Sequence, residues 1–396
     1  MSLMLDKLLK GQKVEWKKLN EIAVKISSGG TPKTGVAEYY NGDIPWLRTQ
    51  EVNFDEIWET GIKITEEGLN NSSAKIIPAN CVIVAMYGAT VGKVGLNKIP
   101  MATNQACANI QVDENLANYR YVFHFLMSQY QYIKSLGTGS QTNINAQTVK
   151  NLEIPIPPLD VQAKIVKILD AFTALTAELT AELTMREKQY HYYRDKLLTF
   201  SDDEVEWKTL GEVANISSGG TPSKTNDSYW LNGDIPWLKS EVCKNCIVDE
   251  SKTFITNLGL KNSSAKFLKV GTVLMAMVGA TIFKTAYLTF EATTNQNIAA
   301  IKSKSNLVLD KYIFYFLINS YDELTSKLEG YNMINLSQIK LIKIPIPSLK
   351  EQKRIIAILD KFEMLTNSIT EGLPFEIALR QQQYEYYREQ LLDFPK

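Results

Sequence analysis

Histidine, cysteine and net charge are scarce in this sequence. The chain of 396 residues contains two histidines and four cysteines, and its 43 basic residues balance its 43 acidic residues. Four scattered cysteines are too few for the disulfide framework of a secreted protein of this length, so we expect reduced thiols. A neutral chain has no overall attraction for nucleic acid, so any DNA-binding surface must be a local patch.

Long apolar segments are also missing. The sequence has no run of about 18 apolar residues and no basic, apolar start of the signal-peptide type. Its 45% hydrophobic and 22% charged residues are typical of globular proteins. We therefore expect a cytoplasmic protein without membrane contact. A single core stops growing at about 250 to 300 residues, so this length predicts at least two domains.

Motifs for catalysis and metal binding are missing as well. Cys243 and Cys246 have the spacing of zinc ligands, but no second pair of cysteines or histidines completes a tetrahedral site. Segment 88–93 is similar to a phosphate loop, but it lacks one residue between its glycines, and its counterpart 279–284 loses the second glycine. The Asn-Pro-Pro-aromatic signature of adenine methyltransferases is absent. We predict no catalytic residue, metal or cofactor in this chain.

The most prominent feature that is present is an internal duplication. Several strings occur twice in the same order, about 190 residues apart. They are VEWKKLNEIAVKISSGGTP (14–32) with VEWKTLGEVANISSGGTP (205–222), NGDIPWL (41–47 and 232–238), TNQ (103–105 and 294–296), IPIP (154–157 and 344–347), and YHYYR (190–194) with YEYYR (384–388). A solenoid repeat has a period of only about 20 to 50 residues, so this period indicates a duplicated domain pair.

Each repeat has two parts. The first parts, 14–157 and 205–347, alternate short apolar runs with Gly, Asn and Pro, which predicts α+β globules with a mixed, barrel-like β-sheet and helices. The second parts, 158–204 and 348–396, have apolar residues every three or four positions, which predicts two long antiparallel coiled-coil helices. The insertion EGLP at 371–374 should kink or break the second helix. About 40 helical residues would span about 60 Å, or about 18 base pairs of DNA.

The chain begins with a copy of its own internal junction. Residues 6–9 and 14–17 repeat the sequence of 195–198 and 205–208. Segment 1–13 therefore completes a cyclic repeat, and we expect the chain ends to meet in space. Antiparallel packing of the long helices would relate the two globules by a pseudo-two-fold axis.

Comparison of the two repeats shows whether either histidine is shared by both. His124 aligns with Tyr315, and His191 aligns with Glu385. Because the shared architecture requires neither histidine, we expect structural or surface roles for both rather than catalysis.

The strings SSGGTP, NGDIPWL, TNQ, IPIP and YxYYR, in this order and in both repeats, resemble the specificity subunits of type I restriction-modification enzymes over nearly the whole chain. The resemblance implies a non-catalytic subunit whose globules are target-recognition domains, each reading one half of a bipartite site in double-stranded DNA. It implies helices that bind two methyltransferase subunits, with restriction subunits added for cleavage. S-adenosylmethionine for adenine N6-methylation would bind the methyltransferase subunits, and ATP with Mg²⁺ would bind the restriction subunits.

Positions that differ between the repeats are the candidates for reading DNA, since identical residues cannot distinguish two different half-sites. Arginine or lysine with guanine and glutamine with adenine are the usual major-groove pairs. The candidates at differing positions are Lys33, Thr34, Arg48, Thr49, Gln50, Gln141, Asn143, Ser223, Lys224, Lys239 and Ser240, and the matching lysines Lys93 and Lys284 are further candidates for contacts with DNA. For each of them, a solvated surface position is the alternative. Their divergence predicts a split and asymmetric site.

Residues that are shared by both repeats are expected to build the scaffold. Gly29 to Thr31 and Gly219 to Thr221 either donate to phosphate or form a tight turn. Trp46 and Trp237 begin apolar stretches and are expected in the core.

Four residues on the helices are candidates for binding partner subunits. Tyr192, Arg194, Tyr386 and Arg388 are expected to lie off the apolar seam, where exposure without a partner is the alternative. The neighbouring Tyr190, Tyr193, Tyr384 and Tyr387 are expected to pack between the two helices.

Two other functions compete with DNA recognition within a larger enzyme. A self-sufficient restriction or modification enzyme would need catalytic motifs, which the sequence lacks. A scaffold that binds only protein would leave a duplex containing the correct site unbound.

Overall fold

Short strands and helices form the two globular repeats, and long helices follow each of them. The structure is a computed structural model that describes residues 2–137, 143–304, 306–328, 330, 333–368 and 370–396. The strands of the first repeat are β1 (Glu15–Lys18), β2 (Ala23–Ser28), β3 (Tyr40–Leu47), β4 (Glu56–Ile57), β5 (Lys63–Ile64), β6 (Ile76–Ile77), β7 (Val82–Ala85), β8 (Val94–Asn97), β9 (Met101–Thr103), β10 (Cys107–Val112) and β11 (Glu153–Ile156). Those of the second repeat are β12 (Glu206–Thr209), β13 (Ala214–Ser218), β14 (Ile235–Leu238), β15 (Cys246–Val248), β16 (Phe254–Ile255), β17 (Val273–Ala276), β18 (Thr285–Leu288), β19 (Thr293–Thr294), β20 (Ile298–Ser303) and β21 (Lys343–Ile346).

Helices connect and follow these strands. The α-helices are α1 (Leu3–Leu9), α2 (Glu66–Asn70), α3 (Tyr119–Ser128), α4 (Tyr130–Ser135), α5 (Ala146–Lys150), α6 (Leu159–Leu198), α7 (Leu210–Val213), α8 (Asn257–Lys261), α9 (Asp310–Asn319), α10 (Tyr321–Ser326), α11 (Leu336–Lys340), α12 (Leu349–Asn367) and α13 (Gly372–Leu392). Short 3-10 helices cover Leu19–Glu21, Ala37–Tyr39, Thr49–Glu51, Gly88–Thr90, Asp227–Tyr229, Ser240–Val242 and Gly279–Thr281. None of the helices in the described ranges is both long and apolar enough to span a membrane.

The chain divides into two units. The first unit comprises Met1–Leu179 together with Glu376–Lys396, and the second comprises Thr180–Phe375. The first unit contains a β1-β11 pair, a five-stranded sheet of order β2-β10-β7-β8-β4 and a four-stranded sheet of order β5-β3-β9-β6. The second unit contains a β12-β21 pair, a five-stranded sheet of order β13-β20-β17-β18-β15 and a three-stranded sheet of order β16-β14-β19.

The sheets are mixed, but they are open. In the first unit β4 pairs parallel to β8, whereas β7 pairs antiparallel to both β8 and β10, so the prediction of an α+β fold with mixed sheets is confirmed. In the described residues the end strands of the five-stranded sheet, β2 and β4, do not pair with each other. Strand β4 has only two residues, which is too short a ladder to close the sheet. The barrel-like closure that we expected is therefore corrected to open sheets.

The two long helical segments differ in continuity. Helix α6 runs over 40 residues without interruption, whereas α12 ends at Asn367 and α13 begins at Gly372, which confirms the predicted break. Gly372 has a φ of +79°, and a Cβ there would lie 2.3 Å from the Met364 carbonyl oxygen, so this position requires glycine. Pro374 falls in the first turn of α13, where its missing N–H removes no intrahelical bond.

Aromatic rings join α6 to the distal helices in each unit. In the first unit Phe172 stacks on Tyr387 with ring centroids 5.0 Å apart. In the second unit Tyr193 stacks on Phe362 at 5.7 Å, and Tyr190 lies on the same ring at 6.1 Å. In the first unit α6 therefore packs against α13, and in the second unit it packs against α12.

The two ends of the chain meet in the first unit. The Ser2 hydroxyl donates to the Gln390 carbonyl oxygen, and the Trp16 indole N–H donates to the Pro395 carbonyl oxygen at 2.9 Å. Leu5 and Leu9 of α1 are buried in one core cluster that also contains the end of α13. The expected closure of the chain ends is present, and α1 packs beside α13 as an additional helix.

A buried glutamine fastens each globule to the start of its long helix. In the first unit Gln162 accepts from the Asn118 N–H at 2.8 Å and donates to the Pro157 carbonyl at 2.7 Å. In the second unit Gln352 accepts from the Leu309 N–H and donates to the Pro347 carbonyl, both at 2.9 Å. Both glutamines are fully buried, so each satisfies backbone groups that water cannot reach.

An acidic residue two turns further along each helix makes a second contact with the globule. Asp170 lies 2.8 Å from the ring nitrogen Nε2 of His124 and accepts from Arg120. Asp360, at the matching position, accepts from the Tyr315 hydroxyl at 2.5 Å and from Lys311 at 2.9 Å. The buried His124 therefore has a structural contact, as we predicted. At the matching position of the second repeat, the phenol of Tyr315 makes the equivalent contact.

Candidate nucleic-acid interface

The shared glycine pair is fixed by close packing in both units. A Cβ at Gly29 would lie 2.0 Å from the Thr103 carbonyl oxygen, and a Cβ at Gly219 would lie 2.0 Å from the Thr294 carbonyl oxygen. Neither glycine has a positive φ, so a left-handed backbone is not the reason for glycine at these positions. The need for glycine comes from the approach of another backbone segment.

Each shared tryptophan locks the loop that follows this glycine pair. Trp46 donates its indole N–H to the Gly30 carbonyl at 2.9 Å, and Trp237 donates to the Gly220 carbonyl at the same distance. Both rings are buried, which confirms that they belong to the core. The two units therefore hold this loop by one mechanism.

The shared threonines also use their hydroxyls within the unit. Thr31 donates to the side-chain oxygen of Gln105, and Thr221 donates to that of Gln296 at 2.7 Å. Because these hydroxyls already have acceptors, a scaffold role for the shared loop is favoured over phosphate binding.

An arginine at the end of β3 forms the centre of a polar cluster in the first unit. Arg48 lies 3.3 Å from Glu51 through its Nε atom, and Glu51 also accepts from the Gly61 N–H at 2.6 Å. With its amide oxygen turned toward the guanidinium, Gln50 accepts from Nη1 at 3.1 Å and from Nη2 at 3.3 Å. The guanidinium is therefore bound on two of its edges.

Three more candidates of the first unit lie around this cluster. Thr49 accepts at its carbonyl from the Thr90 hydroxyl at 2.9 Å. Lys93 donates to Asn53 at 2.6 Å, and Asn143 accepts from the Gly88 N–H at 3.3 Å. Two short 3-10 helices, Thr49–Glu51 and Gly88–Thr90, are in contact here. The structure thus brings Arg48, Thr49, Gln50, Lys93 and Asn143 to one set of neighbouring loops.

The remaining candidates of the first unit are not part of this set. Lys33 and Thr34 are exposed in the loop after the glycine pair. Gln141 lies outside the described residues.

The second unit places its candidates on the equivalent loops, with different contacts. Lys239 is exposed directly before the 3-10 helix Ser240–Val242. Ser223 and Lys224 are exposed, and the Ser223 hydroxyl lies 2.9 Å from that of Thr225. Lys284 lies 5.9 Å from the centre of the Tyr321 ring.

Sequence reasoning did not select Glu51. The two repeats align without a gap from Trp46 and Trp237 onward, which places Val242 opposite Glu51. One repeat has a glutamate where the other repeat has a valine, and this glutamate lies three residues after an arginine. That pattern was the signal that could have identified the ion pair.

The partner-binding candidates fall into two groups. Tyr192 and Tyr386 are each 59% exposed, and each packs edge-on against the next tyrosine with ring centroids 5.3 and 5.5 Å apart. Arg194 instead lies over the Tyr190 ring and donates to Asn319 at 3.1 Å. The Arg194 side chain therefore folds back over a ring of its own helix and contacts the globule of the second unit. Its role in binding a partner subunit stays a prediction.

Arg388 repeats this inward position in the first unit. Its guanidinium lies 5.5 Å from the centre of the Tyr384 ring, and its Nε atom is buried. The role of Arg388 in binding a partner subunit also stays a prediction.

The Cys243 and Cys246 pair has the environment of ordinary core thiols. Cys243 is fully buried, and burial raises the pKa of both thiols, which disfavours the thiolate form that zinc requires. Across the described ranges, His, Cys, Asp and Glu form no group of three that could hold a metal ion.

Comparisons with known proteins agree with this architecture. The model of the type I restriction modification DNA specificity domain matches residues 12–185 and 202–379. The specificity subunit of the type I restriction enzyme EcoR124I/EcoR124II from Escherichia coli is 42% identical over 72% of this chain and 73% of its own length. A putative type I restriction enzyme specificity subunit from Haemophilus influenzae is 34% identical over 98% of both chains.

Solved structures agree at the level of the fold. The S subunit of a type I restriction-modification system from M. genitalium covers 97% of both chains with a TM-score of 0.62 and 15% identity. A chain from a study of the assembly and conformational transition of the type I R-M system covers 96% of this chain and 98% of its own length, with a TM-score of 0.63 and 18% identity. The duplicated domain match and the full-length relative lead to one conclusion: the chain belongs to the family of specificity subunits of type I restriction-modification systems.

Proposed function

We propose that this chain gives a type I restriction-modification complex its DNA sequence specificity, with globule 14–157 reading one half of a bipartite, asymmetric site and globule 205–347 reading the other. One observation carries this proposal. Arg48, Thr49 and Gln50 occupy the same place in the first unit that Lys239, Ser240 and Glu241 occupy in the second. A common scaffold with different polar side chains at its loops is what two different half-sites require.

The candidate loops have the chemistry for contacts with bases and phosphates. Arg48 and Lys239 supply cations for guanine or for phosphate oxygens, and Gln50 supplies an amide for adenine. Lys93 and Lys284, at matching positions, suit phosphate contacts that fix the register of the duplex. Lys33, Thr34, Asn143, Ser223, Lys224 and Ser240 extend these surfaces.

The helical segments 158–204 and 348–396 dock two methyltransferase subunits. Support comes from the equal exposure and equal ring geometry of Tyr192 and Tyr386, since two equivalent sites suit two copies of one partner. Methylation of adenine with S-adenosylmethionine takes place on those subunits, and cleavage with ATP and Mg²⁺ takes place on restriction subunits that join the complex. This chain contributes no catalytic residue and works in the cytoplasm.

The two reading loops are tested by alanine substitution. The chain, co-expressed with the methyltransferase subunit of its own system, is used to map methylated adenines by sequencing. Arg48→Ala should relax the base preference in one half of the motif, and Lys239→Ala should relax the other half, each by about tenfold. If both variants leave the motif and the affinity unchanged, these residues do not read DNA. If no sequence-specific methylation requires this chain, the proposed function is wrong.

The docking helices are tested with the two exposed tyrosines. Tyr192→Ala and Tyr386→Ala should each remove about half of the bound methyltransferase, and the double variant should remove nearly all of it, because truncating an aromatic anchor commonly costs more than about 1 kcal/mol. Mass measurement of the purified complex gives the subunit count. Retention of two methyltransferase subunits by the double variant would contradict the docking assignment.

A further inference from the structure

We propose that Glu51 is a positioning residue that aims Arg48 at a guanine in the first half-site. The inference rests on the proposed function, because it takes the first globule to read one half of the motif. It adds the base that is read, the edge of the guanidinium that reads it, and a difference in how the two units hold their cations.

The carboxylate of Glu51 is fixed from two backbone segments. It accepts from the backbone N–H of Arg48 at 3.3 Å and from the N–H of Gly61 at 2.6 Å. A Cβ at Gly61 would lie 3.3 Å from the Glu51 oxygen and 4.0 Å from Nη2 of Arg48, so the loop at Gly61 lies directly against the ion pair. The carboxylate therefore has little freedom to follow the arginine if the arginine moves.

The same carboxylate holds only one edge of the guanidinium. Its distance to Nε is 3.3 Å, and the Arg48 side chain is 31% exposed. The edge formed by Nη1 and Nη2 points at the Gln50 amide, whose oxygen accepts from both nitrogens when it is turned toward the guanidinium. Gln50 is itself exposed, so it can leave this position when DNA approaches.

The amide oxygen of Gln50 occupies the place where a base acceptor would bind. A fork of two N–H donors matches O6 and N7 of guanine, whereas adenine presents N7 next to an amino donor that the fork repels. Because the Nε edge is already bound to Glu51, only the outer edge remains for the base. The geometry selects guanine at one position of the first half-site.

The second unit lacks this arrangement. Val242 stands where the first unit has Glu51, and Lys239 is exposed and makes no side-chain hydrogen bond to the 3-10 helix that it precedes. A lysine is a mobile point charge that cannot form a bidentate fork. The matching position of the second half-site should therefore be read with lower selectivity.

The experiment uses the complex of this chain with its methyltransferase subunit and compares Glu51→Val, Glu51→Gln and Arg48→Lys with the unchanged chain. Methylation sequencing should show that the preference for guanine at one position of the first half-motif falls about tenfold in Glu51→Val and in Arg48→Lys. Glu51→Gln keeps one of the two acceptor oxygens, so it can still accept from Arg48 but loses the bond from the Gly61 N–H. It should therefore retain only part of the preference. Val242→Glu is the matched control and should leave the first half-motif unchanged.

A chemical probe then tests the contact itself. Replacing that guanine by 7-deazaguanine removes the N7 acceptor and should weaken binding of the unchanged complex about tenfold. Glu51→Val should bind the normal and the modified duplex equally. An unchanged second half-motif in each variant shows that the chain is folded and assembled.

Three results would overturn the inference. If Arg48→Lys relaxes the motif but Glu51→Val does not, Glu51 has no positioning role, although the proposed function stands. If Glu51→Val relaxes every position of the first half-motif, Glu51 only stabilises the loop. If neither variant changes any base preference while the intact motif still depends on this chain, Arg48 is not the reader, and the site is wrong while the family function remains.

Discussion

The two units keep the same contacts to backbone groups and change the contacts between side chains. Gln162 and Gln352 fasten the globules to their helices through the same pair of backbone partners. Asp170 and Asp360 also correspond, but the first binds a histidine and an arginine, whereas the second binds a tyrosine and a lysine. A buried backbone group must be given a hydrogen-bond partner, which the matching glutamine side chain supplies in both units, while a carboxylate accepts from several donor types.

The reading loops extend this comparison. The first unit holds its arginine with Glu51 and Gln50, and the second unit leaves Lys239 exposed. The scaffold beneath both loops is the same down to the tryptophan hydrogen bond. Duplication has therefore left the support constant and allowed the surface to diverge, which is how one fold can serve two half-sites.

The largest expected effect tests whether the scaffold is equivalent in both units. Gly29→Ala and Gly219→Ala each place a Cβ about 2.0 Å from a carbonyl oxygen, so each should lower the stability of its own unit by about 3 kcal/mol or more. Hydrogen exchange measured peptide by peptide assigns the loss to one unit. Thr34→Ala, at an exposed position, is the control. If one glycine substitution lowered the stability of its unit strongly and the other did not, the two scaffolds would not be equivalent.

A smaller effect tests the contact between helix and globule. Asp170→Asn and Asp360→Asn each weaken one ion pair and should cost about 1 kcal/mol, since these carboxylates are only partly buried. Peptide-resolved hydrogen exchange again separates the units. If only one of the two substitutions lowered the free energy of unfolding by more than about 3 kcal/mol, the two helix–globule contacts would not be equivalent.

The contact between α6 and the first globule should depend on pH through the carboxylate of Asp170. Burial alone would raise the pKa of Asp170, but its bonds to His124 and Arg120 outweigh burial and lower it. A lowered pKa in the folded state means that the contribution to stability is complete above the unfolded value of about 3.9 and is lost as pH falls through the folded value. Asp170→Asn should remove this dependence, and an unchanged acid profile would contradict it.

The duplication and the helices could be predicted from the sequence because both are repetitive. The matched strings locate the two globules, and the apolar spacing identifies α6 and the broken distal pair, where Gly372 and Pro374 mark the interruption. The open sheets could not be predicted, since edge strands such as β4 have two residues and no periodicity to detect. Their pairing depends on contacts between residues that are distant in sequence.

The candidate site was predictable in part. Divergence between the repeats selected Arg48 and Gln50, which the structure brings together, but it did not show that Glu51 holds the arginine. The stacking of Arg194 over Tyr190 and of Arg388 over Tyr384 could not be predicted, because helical spacing places a Cβ on a face and does not fix where a long side chain folds.

The central claim is that two equivalent units read two different half-sites. It is tested most directly by replacing residues 14–157 with a second copy of 205–347 and sequencing the methylated adenines made by the complex. Two identical readers should methylate a motif in which the original second half appears twice and the original first half is absent. A motif that keeps its original first half would contradict the account.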